Sequence, residues 1–212
     1  MKIKFHFGEI FHVFNKTIAN FKVFDKAENT NRFLVALKFY NNKTKAISLS
    51  RAIKENKTIL DGDVLQQTKD AYLKFICYCI MPDHYHLLVK VLDENCLSKF
   101  ISDVENSYVR YFNLKYKRKG PLWQSGFKHV RIRNNEQLLH VSRYIHLNPV
   151  TSYLVSDPEN WQYSSFRQYS DSFILEGINE ISINNPKMYN DFVRNNIDYQ
   201  RKLKQIKKLL FD

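Results

Sequence analysis

The sequence predicts an α+β fold: an antiparallel sheet with helices on one face and a further helix laid across it. Three observations carry this. Hydrophobic periodicity runs strand, helix, hairpin, helix, strand, helix, the order of an α+β sandwich. Met81-Pro82-Asp83 is turn chemistry between two apolar runs, which reads as the hairpin. The 212 residues, 44% hydrophobic and 15% aromatic, suffice for one core with an appendage. The chain divides into a main domain, 1–170, and a helical basic extension, 171–212.

Each element follows from its residues. Ile10 to Ile18 reads as a first strand with polar edges, on which His12 is structural. Phe33, Leu34, Leu37 and Tyr40 recur at helical spacing after polar residues suited to an N-cap, which predicts the first helix. Residues 41–58, with Lys43, Lys45, Arg51, Lys54 and Lys57, show weak periodicity and read as a basic insertion facing solvent. Residues 75–80 and 85–91 make the hairpin. A helix from about Leu97 to Tyr116 has an apolar face of Phe100, Ile101, Val104, Tyr108, Tyr111 and Phe112. Phe127 to Arg133 alternates apolar and basic residues, as a last strand with one wet face would.

In the next segment Asn134 and Gln137 resemble a capping box. Leu138, Val141 and Ile145 form a core stripe that His140 continues, and Pro149 is expected to end the helix. Trp161 to Tyr169 is expected to pack against the domain, in a role its residues do not reveal. From Asn185 a polar helix anchored by Met188, Phe192 and Val193 leads to a basic amphipathic tail, Tyr199 to Phe211. That tail suits DNA, a partner or a second copy of the chain in a homodimer.

Two constellations carry chemistry. A strand repeats every two residues, so His84 and His86 point to one side while Tyr85, Leu87 and Val89 point to the other. Two imidazoles side by side are a ready pair of metal ligands, although His-X-His also occurs in ordinary half-buried strands. Tyr144 and Asn148 stand at i and i+4 near a helix end, so a phenol and an amide oxygen share one face.

Four blocks then occur in order: Met81-Pro82-Asp83-His84-Tyr85-His86-Leu87-Leu88-Val89, Gly120-Pro121-Leu122-Trp123-Gln124-Ser125-Gly126-Phe127, Arg143-Tyr144-Ile145-His146-Leu147-Asn148-Pro149-Val150, and Trp161-Gln162-Tyr163-Ser164-Ser165-Phe166. Together they resemble the single-tyrosine HUH transposases, in particular the branch of REP-associated tyrosine transposases, over roughly residues 5–170. The resemblance implies a ferredoxin-like fold, a divalent cation held by His84, His86 and Asn148, and Tyr144 as nucleophile. It implies a 5′-phosphotyrosine intermediate with a free 3′-OH, so that single-stranded or hairpin DNA is cut and rejoined rather than hydrolysed. The cation would be Mg²⁺ or Mn²⁺, and two imidazoles are softer donors than Mg²⁺ usually prefers.

Charge agrees with such a partner. Thirty-three Lys and Arg against twenty-one Asp and Glu give +12, which suits a polyanion, although a basic balance alone would also suit an anionic membrane or a solvated surface. Lys117, Arg118 and Lys119 run into Gly120-Pro121 beside Trp123, and Lys128, Arg131 and Arg133 lie on the last strand. These seven residues are the candidates for holding DNA phosphates and stacking on an unpaired base. Helix-dipole and core-filling roles compete for the first group. With no apolar run of membrane-spanning length and no signal-peptide pattern at the amino end, a cytoplasmic protein is expected, and the resemblance implies a bacterial, nucleoid-associated one. Cys77, Cys79 and Cys96 fit neither a zinc site nor a disulfide framework. Two other readings stand beside the transposase: a domesticated DNA-hairpin binder without turnover, and an unrelated metal hydrolase, for which no carboxylate ligand or general base is evident near the histidines.

Overall fold

The computed structural model describes residues 4–44, 47–55, 70–170, 179–183 and 185–211, with side chains to 206. Lys45 and Lys57 of the basic insertion, and the apolar end of the tail, fall outside the described side chains, and the expected boundary after residue 170 adjoins undescribed residues.

β1 (Ile10–Lys16) leads into α1 (Ala27–Tyr40) and a short α2 (Leu49–Glu55). β2 (Leu73–Ile80) and β3 (His84–Val91) form the hairpin, closed by Met81 N–H donating to the His84 carbonyl at 2.8 Å. α3 (Cys96–Lys115) and β4 (Lys128–Ile132) follow, and α4 (Asn135–Thr151) comes next. The strands pair antiparallel in the order β2-β3-β1-β4, the ferredoxin-like arrangement. The stretch read as a featureless basic insertion thus holds a helix. At seven residues, with only Leu49 and Ala52 buried, α2 is too short to show a helical stripe.

Side chains alternate across the sheet, so register sorts the residues onto two faces. His84 lies opposite Lys16; His86 lies opposite Phe14 and Cys79; Leu88 lies opposite His12 and Cys77. That face receives α4, whose Tyr144 ring meets the rings of His86 and His12. The other face carries Tyr85 and packs on α1 and α3: Phe33 stands 5.1 Å from the Tyr85 ring, and the Tyr85 hydroxyl donates to Glu105 at 2.7 Å. α1 and α3 therefore share one face, and the Tyr144 helix crosses the opposite one.

α4 begins as its sequence predicts. Asn134 Oδ1 accepts from Gln137 N–H at 2.8 Å, and Gln137 Oε1 accepts from Arg133 N–H at 2.8 Å. Two expectations fail. Pro149 does not end the helix, which runs on to Thr151. Pro149 forfeits a bond to the Ile145 carbonyl, but the last turn still closes, with Ser152 N–H donating to the Asn148 carbonyl at 3.0 Å. His140 does not continue the stripe; it is exposed, beside Arg143 at 2.8 Å. β4 also departs from a strand with one wet face, because as an edge strand it leaves Val130 45% exposed while the His129 ring packs against Phe5 and Phe11.

The Trp161–Tyr169 stretch covers the outer edge of β2. Ile80 N–H donates to the Tyr163 carbonyl at 2.9 Å, Ser165 N–H to the Tyr78 carbonyl at 3.0 Å, and Trp161 Nε1–H to the Ile80 carbonyl at 3.0 Å. An edge that would otherwise be open for pairing is closed. α5 (Phe166–Ser170), α6 (Pro186–Arg194) and α7 (Ile197–Phe211) then pack around α4.

A buried polar chain fixes α4 in place. A single hydrogen arrangement satisfies all its members: Tyr78 N–H donates to Ser165 Oγ (2.9 Å), Ser165 to His146 Nε2 (2.9 Å), and His146 Nδ1 to Tyr189 (2.8 Å). Tyr189 then donates to Ser142 (3.0 Å), and Ser142 to the Leu139 carbonyl (2.8 Å). His146 is fully buried and held neutral, its pKa pushed down by burial to about 3.

Candidate active site

The two constellations seen in the sequence converge on one spot. β3 aims His84 and His86 at α4, with ring centroids 5.0 Å apart. α4 lays the Tyr144 ring edge-on to His86, with centroids 5.5 Å apart and planes at 79°. Asn148 lies one turn further along α4, nearly buried. Tyr144 itself is 43% exposed, so a large substrate can reach its ring. Burial raises the Tyr144 pKa, and the Asn148 amide pulls against it. The phenol is therefore protonated at neutral pH and needs help to attack.

Each imidazole is held from behind. Asp83 Oδ1 sits 2.6 Å from His84 Nδ1, and the Lys16 ammonium stands 3.6 Å from the other Asp83 oxygen. Burial pushes the Asp83 carboxyl up, but the His84 hydrogen bond and the charges of His84 and Lys16 outweigh it and hold the carboxyl below its usual range. His86 Nδ1 lies 3.0 Å from His12 Nε2. Burial first, then the neighbouring His84, His12 and Lys204, keep the His86 imidazole well below its ordinary range. Burial takes His12 down to about 4.

These donors fit a divalent cation. His86 Nε2 is buried without a hydrogen-bond partner, and such an orphan calls for a ligand. Asn148 can offer its oxygen by turning its amide. His84, His86 and the Asn148 amide are the residues that could hold an ion here; among the described residues no group of three or more His, Cys, Asp or Glu side chains is placed to hold a metal. His12 is a site residue that sequence reasoning set down as structural; its diagonal position beside His86 depends on the β1–β3 register, which a single sequence does not print. Asp83 was read only as a turn residue, although its place directly before His84 was the available signal.

The family model described as "Transposase IS200 like" matches residues 42–148, just over half of the chain, and that span contains His84, His86, Tyr144 and Asn148. The chain belongs to the IS200-like transposase family. A Haemophilus influenzae protein named as a REP-associated tyrosine transposase is 32% identical over 116 residues, 49% of this chain and 65% of the relative, so the chain spans just under two thirds of that protein's length. A solved REP-associated tyrosine transposase bound to a REP hairpin superposes with a TM-score of 0.54 at 14% identity, covering 84% of this chain and 88% of the other. That likeness is one of fold.

In this member of the family the seven basic and aromatic candidates for DNA contact do not share one surface. Lys128 lies opposite Phe14, which lies opposite His86, so its exposed side chain shares the site's face two strands away. Arg131 falls on the other face and pairs with Glu9 at 2.9 Å. Arg131 and Arg133 line a cleft of about 430 Å³ near the start of α4. Lys117 and Lys119 lie in the turn that follows α3, where Arg118 is spent on Asn113 and the Pro121 carbonyl, both at 2.9 Å. The Trp123 ring is taken up among Phe24, Phe33, Tyr85 and Tyr108. The tail contributes a cation that the sequence did not place: Lys204 on α7 donates to Ser152 Oγ at 2.6 Å, beside the end of α4, and its charge is felt by His86 and Asp83. Cys77, Cys79 and Cys96 are buried free thiols. Among the described residues no helix is long and apolar enough to cross a membrane.

Proposed function

We propose that this chain cuts and rejoins single-stranded or hairpin DNA through a 5′-phosphotyrosine on Tyr144, as a step of DNA transposition. The observation that carries the reading is the Tyr144 ring standing 5.5 Å from His86, with Asn148 one turn beyond and the buried His86 Nε2 left without a partner. The family supports a DNA substrate, and the solved relative of the same fold was captured with a REP hairpin.

The chemistry balances without water. Tyr144 Oη forms a bond to phosphorus as the P–O3′ bond breaks, leaving a 5′-phosphotyrosine and a 3′-oxygen that takes up one proton for the one the phenol gives up. Attack by another 3′-OH reverses the exchange and reseals a strand. A Mg²⁺ or Mn²⁺ ion bound by His84, His86 and Asn148 would polarise the scissile phosphate and offset charge as it develops. Asp83 keeps the His84 ring oriented, α4 leaves the Tyr144 ring partly exposed to a substrate, and Lys16, Lys128 and Lys204 supply positive charge along the substrate's path.

Incubating the protein with end-labelled single strands and hairpins drawn from the flanks of its own gene, with Mn²⁺ or Mg²⁺, tests this. Discrete cleavage with a product that can be rejoined is expected; random hydrolysis to free 5′-phosphates would overturn it.

A further inference from the structure

We propose that His12 is a positioning residue for the metal site, accepting the Nδ1 proton of His86 so that the Nε2 lone pair of His86 faces the site. The inference rests on the metal reading above and goes beyond it by assigning β1 a part. His12 Nε2 and His86 Nδ1 are 3.0 Å apart, with ring planes at 30° and both side chains buried. A contact of that length between two ring nitrogens holds one proton, and it can belong to either ring.

The surroundings choose. If His12 were the donor, the neutral His86 ring would carry its proton on Nε2, and that atom is buried with no acceptor in reach. A buried N–H without a partner is the costlier orphan. With His86 as donor, Nε2 is a bare lone pair, which is the form that binds a cation. His12 thereby does for His86 what Asp83 does for His84, whose Nδ1 is held at 2.6 Å. The β1–β3 register makes this arrangement: His12 lies opposite Leu88, diagonal to His86 on the same face.

The test uses the full chain with His12→Phe, which fills the volume without an acceptor, and His12→Gln, whose amide oxygen can take the proton. Long-range ¹H–¹⁵N NMR of the metal-free protein should show His86 protonated on Nδ1 in wild type and in His12→Gln, and reverting toward the Nε2–H form in His12→Phe. The Mn²⁺ dissociation constant, read by EPR titration, should rise about 10- to 100-fold in His12→Phe and recover most of that loss in His12→Gln. An Nε2–H tautomer for His86 in wild type, or unchanged tautomer and affinity in His12→Phe, would overturn the proposal. A wild type that binds no Mn²⁺ would instead sink the metal reading, and the metal-free tautomer would still decide the part played by His12.

Discussion

The ring of Tyr144 on α4 stands edge-on to the ring of His86 on β3, centroids 5.5 Å apart and planes at 79°. Two segments nearly sixty residues apart in sequence thus present a nucleophile type and a ligand type to one volume, and the buried network through His146 keeps α4 where that is so.

Asp83→Ala removes the acceptor that orients His84 and leaves the loop backbone bonds intact, since those use the Asp83 carbonyl. Mn²⁺ affinity is expected to fall about 10- to 100-fold with little change in melting temperature. Calorimetric titration of Mn²⁺ beside a thermal melt checks it, and unchanged affinity would remove Asp83 from the site.

Much of this arrangement was legible in the sequence because it is local. The two-residue period placed His84 and His86 on one side of β3, and the i,i+4 spacing put Tyr144 and Asn148 on one face of α4. What was not legible is relational. His12 reaches His86 only through strand register, and Lys204 reaches the end of α4 only through the packing of α7. The role of Trp161 to Ser165 as an edge cover depends on knowing that β2 is an outer strand. Trp123 looked available for stacking because the sequence cannot show that four aromatic rings surround it.

Ser165→Ala should destabilise the fold by about 2 kcal/mol, since it leaves the buried Tyr78 N–H and His146 Nε2 without their shared partner. Urea denaturation measures this, and a loss below about 0.5 kcal/mol would mean the network does not hold α4.

Acid should unfold the protein early. His146 is held at about 3 and His12 at about 4 in the fold, against about 6.5 in the open chain. Below pH 6.5 the unfolded chain takes up protons that the folded one refuses, so stability is full above that pH and falls as pH drops toward 3 to 4. The slope is up to about 1.4 kcal/mol per pH unit for each such histidine. Urea midpoints between pH 8 and 4 test the sign, and His146→Gln should be weaker at pH 7 yet show a shallower acid slope.

Binding to a DNA hairpin should weaken steeply with salt, and removing Lys16, Lys128 or Lys204 should each reduce the slope of log K against log salt by about one or less. Fluorescence anisotropy at several salt concentrations measures it. Slopes unaltered in all three variants would place the DNA on another surface.

The central claim is that the Tyr144 hydroxyl becomes covalently joined to DNA, and a denaturing gel tests it most directly. Wild type incubated with a labelled hairpin and Mn²⁺ should give a protein–DNA band that survives denaturation, and Tyr144→Phe, which keeps the ring against His86, should bind the same hairpin and give none. An undiminished covalent band in Tyr144→Phe, or none from wild type on any hairpin bearing its own flanking sequences, would contradict the account; the second result would leave a protein that binds DNA hairpins without turning them over.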